Sequence, residues 1–250
     1  MKKAMTRNIL ATSGGFLPRI DSGGARPGGL IKRALELTGL ECPRVTLIMT
    51  ATGDDPGYLS LMYSALRELD CVVDHLALFP MPNHEPQEII SRSDVIWVGG
   101  GSVVNLLAVW KAHNLDSLLH QAWINGTVLA GVSAGSICWH VGGPTDSYGK
   151  TLQPALGGLG ILPYGNGVHY DSEKQRRPLV HELVKNGVLP TTYATDDRIG
   201  ILYQDTTAIE VVTDLEVLDP DGPAAYRIEL IDGIVVETRL PVGPINSFDN

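Results

Sequence analysis

Cysteine is scarce in this chain of 250 residues: Cys42, Cys71 and Cys138 form an odd, scattered set without CxxC spacing. That excludes a disulfide framework and a zinc knuckle. Basic runs are missing as well. Nineteen Lys and Arg stand against 28 Asp and Glu, a formal net charge of −9, which makes nucleic acid and anionic membrane poor partners. No stretch approaches the roughly 20 apolar residues of a membrane-spanning helix. The basic start, Met1-Lys2-Lys3-Ala4-Met5, is not followed by an apolar segment of signal length. The expectation is a soluble cytoplasmic protein with no metal and no cofactor. Internal repeats and low-complexity tracts are also absent, and 44% hydrophobic against 19% charged residues rules out global disorder. A chain this long buries roughly 70–75% of its unfolded surface and needs no covalent staple. Residues 1–250 read as one domain.

What is present is an alternation. Short apolar runs rich in β-branched residues occur at Asn8–Thr12, Val45–Thr50, Val72–Leu78, Asp94–Val98 and Thr127–Val132. Each is too continuously apolar for a half-exposed strand, as expected of parallel strands covered on both faces. Between them Gly29–Thr38, Tyr58–Leu69, Pro86–Ser91 and Val103–Asn125 carry helical spacing. The pattern is that of a doubly wound, mostly parallel α/β sheet. From Gly142-Gly143-Pro144 to Gly167 the sequence loosens into a Gly- and Pro-rich stretch, followed by a polar helix over Ser172–Asn186. Closely spaced strands then surround the turns Pro220-Asp221-Gly222 and Asp232-Gly233, predicting C-terminal antiparallel hairpins that extend the sheet.

The most informative segment is Gly131-Val132-Ser133-Ala134-Gly135-Ser136. Gly-x-Ser-x-Gly after an apolar strand and before a small-residue helix start is a nucleophile elbow, which holds a serine hydroxyl at a strand's carboxyl end. The pattern alone is weak, because the chain contains 28 Gly; the strand before it and the helix after it give it weight. The bland alternative is a tight turn packing a helix on a sheet. A nucleophilic serine needs a base. Of seven histidines, His169 stands out, in the irregular loop Pro163–Asp171 beyond the elbow; His140, seven residues past Ser133, would point away. The third group should be a carboxylate that orients the imidazole. Asp146, in a Gly-Pro turn, and Asp196-Asp197, at a strand end, are both candidates, and spacing does not decide between them. Bare amides at Gly99-Gly100-Gly101, after another strand, could form an oxyanion hole from Gly100 or Gly101 together with the Ala134 amide. No lysine follows as a P-loop requires, and the loop Ser13-Gly14-Gly15 through Ser22-Gly23-Gly24 completes no phosphate motif. Cys138 lies inside the presumed helix and reads as a buried small side chain.

Val98-Gly99-Gly100-Gly101-Ser102, the elbow at residues 131–136, and His169 followed by Arg176-Arg177 resemble the dipeptidase E family of serine peptidases, related to cyanophycinase. The likeness runs over roughly residues 8–215. It implies a class I glutamine amidotransferase-like, flavodoxin-like fold with serine in place of cysteine. It also implies hydrolysis of the bond next to an N-terminal residue, aspartate in the best-known members. Carried over, Ser133 matches the nucleophile, His169 the base and Asp146 the catalytic aspartate, while Asp197 is similar to a carboxylate set against the histidine. Arg176 or Arg177 would hold a substrate carboxylate. Two departures bear on substrate preference: the segment between His169 and the arginines is shorter, and Val168 stands where the family has proline. The expected partner is a short peptide. A cyanophycinase-like hydrolase of β-Asp-Arg linkages and a non-catalytic binding module on the same fold are the competing readings. Oligomeric state stays open, a homodimer included, as does the role of the end Asn246–Asn250.

Overall fold

The structure, a computed structural model, describes residues 6–20 and 23–245. The basic start Met1–Met5, Ser22 of the first glycine loop and the end Asn246–Asn250 lie outside them. The five apolar runs form strands at Asn8–Thr12, Arg44–Ile48, Val72–Leu76, Val95–Val98 and Val128–Val132. They lie parallel in the order Asn8–Thr12, Val128–Val132, Val95–Val98, Arg44–Ile48, Val72–Leu76.

Alternation along each strand supplies two cores, because successive side chains leave a strand on opposite faces. Ile9, Ala11, Ile96 and Val98 pack with residues of the helices Pro86–Ser91, Val103–Ala112 and Leu115–Ile124. Leu10, Val95 and Trp97 pack on the other face with Ile31 and Ala34 of helix Gly29–Glu36 and Met62 and Leu66 of helix Pro56–Leu66. Helices on both faces of a parallel sheet make the fold doubly wound, as the alternation predicts. The helical stretch Val103–Asn125 is two helices, because Asn114 adopts φ 56° between them. Asparagine tolerates this left-handed conformation better than most residues. The polar helix is shorter than its pattern, Arg176–Lys185.

The C-terminal hairpins divide between two sheets, which corrects the expectation that all of them extend the first. Strands Ile199–Gln204 and Thr207–Thr213, with Gly243–Pro244 beyond, add antiparallel to Asn8–Thr12 and complete an eight-stranded sheet. The hairpin Ala225–Ile231/Ile234–Leu240 instead joins a six-stranded sheet with Thr192–Thr195, Gly165–Gly167, Gly142–Thr145 and Gln153–Leu156. Three of these partner strands come from the stretch that reads as loop because it is rich in glycine and proline. Their neighbours approach too closely for side chains: a Cβ on Gly143 would strike the carbonyl of Asn166. A third, two-stranded sheet pairs Phe16–Pro18 with Ala25–Pro27.

Candidate active site

Three adjacent parallel strands, Asn8–Thr12, Val128–Val132 and Val95–Val98, end at one rim of the large sheet. Carboxyl ends of parallel strands are where open α/β sheets bind ligands. Ser133 follows the middle one with φ 57° and ψ −113°, a conformation that costs roughly 1–3 kcal/mol for a residue with a side chain. Its neighbours enforce it. A Cβ on Gly131 would meet the carbonyl of Gly135, and one on Gly135 would meet that of Val98, so both flanking glycines are steric requirements. The Ser133 carbonyl accepts from the amides of Ser136 at 2.8 Å and Ile137 at 2.9 Å, opening the short helix Ala134–Ile137. The Ala134 amide, first in that helix, has no acceptor within it.

His169 arrives from the other sheet, just past strand Gly165–Gly167, with φ 51°. Its Nδ1 lies 2.6 Å from Oδ1 of Asp197. Asp197 follows strand Thr192–Thr195, the parallel neighbour of Gly165–Gly167, so adjacent strand ends deliver imidazole and carboxylate side by side. With Nδ1–H donating to the carboxylate, Nε2 keeps its lone pair and can take a proton. Asp196 has another task. Its Oδ2 accepts from the Ala224 amide at 2.9 Å and the Tyr226 hydroxyl at 3.1 Å, and burial pushes its carboxyl above the usual range.

One dipeptide connects the two sheets. The Thr12 carbonyl accepts the Ser133 amide at 3.0 Å. Ser13 Oγ accepts the His169 amide at 3.0 Å and sits 2.7 Å from the Thr195 hydroxyl. Serine and histidine therefore hang on consecutive residues of a buried strand end. Among the described residues no hydrogen bond joins Ser133 Oγ directly to the imidazole. Such contacts are often long in free enzymes and tighten when substrate binds.

The glycine loop after Val98 closes the other side. A Cβ built on Gly100 would lie 3.3 Å from Ser133 Cβ and 3.9 Å from its hydroxyl, so this backbone passes directly by the serine. Gly101 adopts φ 133°, with the carbonyl of Ala51 where a side chain would go. Burial pushes the Tyr58 phenol above its ordinary pKa, and the Gly100 backbone amide beside its oxygen pulls the other way.

Three expected site residues have other partners. Asp146 is exposed and lines a cleft with Lys150, Glu173, Lys174 and Gln175, and Asp197 holds the place against the imidazole that Asp146 was expected to share. Arg176 is 2% exposed, bonded to the Pro144 carbonyl and paired with Glu173, and Asp146 adds a favourable charge nearby. Arg177 stacks over Tyr170 and Tyr226, 4.5 and 4.6 Å from their ring centres, and pairs with Glu237 at 2.6 Å. Burial and internal pairing take Arg176 away from a substrate carboxylate, whereas Arg177, paired with Glu237, keeps a half-exposed guanidinium. Cys138 is fully buried with its thiol pushed up by burial, and His140 is held neutral, with Nδ1 against the Ser136 carbonyl at 2.9 Å. Sequence reasoning missed Thr12, Ser13 and Tyr58. The available signal was that Ser13-Gly14-Gly15 follows an apolar strand just as Gly99-Gly100-Gly101 does. Among the described residues there is no group of three or more His, Cys, Asp or Glu placed to hold a metal, and no helix is long and apolar enough to cross a membrane.

A strained serine between a parallel strand and a helix, together with an imidazole–carboxylate pair held by the same strand end, is the set of groups an α/β serine hydrolase uses. The model of Peptidase family S51 matches residues 22–211, and the chain belongs to that family. It is a serine peptidase. An uncharacterized peptidase of Bacillus subtilis, YgaJ, is 40% identical over 202 residues, 81% of this chain and 85% of the relative. Peptidase E of Haemophilus influenzae is 32% identical over 94 residues, 36% of this chain and 42% of the relative. Among solved structures, a peptidase from an acI-B1 actinobacterium superposes with TM-score 0.70 at 16% identity, covering 97% of this chain and 98% of that one. A putative peptidase E protein from Listeria monocytogenes gives 0.61 at 19%, covering 84% and 100%. At such identities these two speak for the fold alone. Family membership sets aside the non-catalytic module.

Proposed function

We propose that this peptidase cleaves the bond after the N-terminal residue of dipeptides and short peptides, with Ser133 as nucleophile, His169 as base and Asp197 as its orienting carboxylate. His169 Nε2 takes the hydroxyl proton as Ser133 Oγ bonds to the scissile carbonyl carbon. The resulting oxyanion is stabilised by the amides of Ala134 and of Gly100 or Gly101. Collapse breaks the C–N bond, and the imidazolium returns its proton to the leaving amine. Water, deprotonated by the same imidazole, then releases the acyl group and restores the serine. The enzyme is read as cytoplasmic, an expectation that rests on the sequence.

The observation that carries the proposal is the His169–Asp197 pair at 2.6 Å, tied by Ser13 to the strand end that also holds the strained Ser133. A fluorophosphonate probe tests it. Covalent labelling of the wild type and none of Ser133→Ala is expected; equal labelling of both would remove Ser133 from the mechanism.

A further inference from the structure

A cavity of about 310 Å³, which reaches Val132 just before Ser133, opens between the hairpin Phe16–Pro18/Ala25–Pro27 and the helix Pro56–Leu66. Its lining includes Leu17, Leu61 and Met62, and also Gly14, Tyr58 and Val132. The latter three touch the reaction centre's framework. Val132 precedes Ser133, and Gly14 follows the Thr12-Ser13 dipeptide that holds both serine and histidine. Tyr58 meets the backbone of Gly100, which itself passes by the Ser133 side chain. The described residues lining the cavity carry no charge. Nearby charges are turned to each other: Arg19 of the hairpin pairs with Glu68 past the helix, and Arg26 with Glu216 at 3.1 Å.

We infer that this cavity receives the side chain of the residue that acylates Ser133, and that the residue is apolar, of leucine, methionine or phenylalanine size, rather than aspartate. This rests on Ser133 being the nucleophile. The assignment to the acyl side follows from Tyr58. Tyr58, in the cavity's lining, lies beside the Gly100 backbone amide on the oxyanion side, whereas the leaving amine must lie at His169, which protonates it. Volume and lining agree: 310 Å³ holds a large aliphatic or aromatic group, and an aspartate carboxylate would enter with no cation to pair it.

The test is a dipeptide panel on the full chain, Leu-Ala, Met-Ala, Phe-Ala, Asp-Ala and Arg-Ala against Ala-Leu and Ala-Asp, with products separated by chromatography. Rates are divided by the fraction of chains that react with fluorophosphonate. Leu-Ala is expected to exceed Asp-Ala in kcat/KM by at least about tenfold, the value of burying one such side chain. Leu61→Arg, which puts a cation on the half-buried wall, should shrink or reverse that ratio, and Leu61→Gln should move it the same way by less. Asp-Ala matching Leu-Ala in the wild type overturns the inference while labelling at Ser133 leaves the peptidase mechanism intact. Preference residing only in the Ala-X series moves the cavity to the leaving side and equally overturns it. Absence of labelling removes the nucleophile and the cavity assignment together.

Discussion

Ser13 Oγ accepts the backbone amide of His169 at 3.0 Å, although 156 residues separate them in sequence. The bond fixes the left-handed turn at His169, and with it the direction of the imidazole. Ser13→Ala should therefore lower kcat by about ten- to a hundredfold with KM little changed, the pattern for a contact that matters mainly in the transition state. It should also cost about 1–3 kcal/mol of stability, because the half-buried His169 amide and the buried Thr195 hydroxyl lose their partner. Steady-state kinetics with urea unfolding checks both, and an unchanged kcat would refute the positioning role.

The two aspartates once equivalent in sequence now make different predictions. Asp197→Asn replaces the acceptor at His169 Nδ1 and favours the wrong tautomer, so kcat should fall by up to about 10⁴-fold. Asp146→Asn, on an exposed turn, should stay within about twofold of wild type. A loss of comparable size in both variants would mean that Asp146 acts in the mechanism after all.

Stability should respond to the elbow glycines. Gly135→Ala drives a methyl into the carbonyl of Val98, which belongs to the neighbouring strand and cannot rotate away. Overpacking of this kind costs roughly 1–3 kcal/mol, so the melting temperature should drop by several degrees even with no substrate present.

Acid should weaken the fold through His140. The ring is fully buried, its Nε2 has no partner among the described residues, and its edge faces Tyr203 with centroids 5.8 Å apart. Burial lowers its pKa from 6.5 to about 4, opposed only by the bond to Ser136. The folded pKa is depressed, so the unfolded chain binds the proton more readily. The associated stability is present above pH 6.5 and is lost as pH falls toward 4, about 3 kcal/mol over that window. Denaturant titrations at several pH values should show a flatter profile for His140→Phe than for wild type. Parallel profiles would sink the assignment.

The parallel strands, the elbow and the flanking helices were legible because each is a local pattern. Continuous apolar runs mark covered strands, and Gly131-x-Ser133-x-Gly135 marks the turn. The second sheet was legible only in its later strands and not as a separate sheet, because Gly142, Gly143, Gly165 and Gly167 serve there as strand residues with low intrinsic propensity, chosen for close backbone approach. The imidazole's partner was ambiguous for a related reason. Only the parallel pairing of Gly165–Gly167 with Thr192–Thr195 brings Asp197 to His169, and that pairing leaves no trace in spacing. Arg176 and Arg177 misled because polar helices usually display their charges to water. Here the helix packs on the second sheet, and its arginines face Glu173, Glu237 and two tyrosine rings.

The division of labour between sheets has a temporal consequence. Asp196–Arg198 is the crossing from the six-stranded to the eight-stranded sheet, so the segment that carries Asp197 is anchored to the serine's sheet where the chain returns to lie against its own first strand. A nascent or partly opened molecule carries the serine without its proton acceptor. Such a molecule is chemically idle, so hydrolytic competence requires both sheets to be joined.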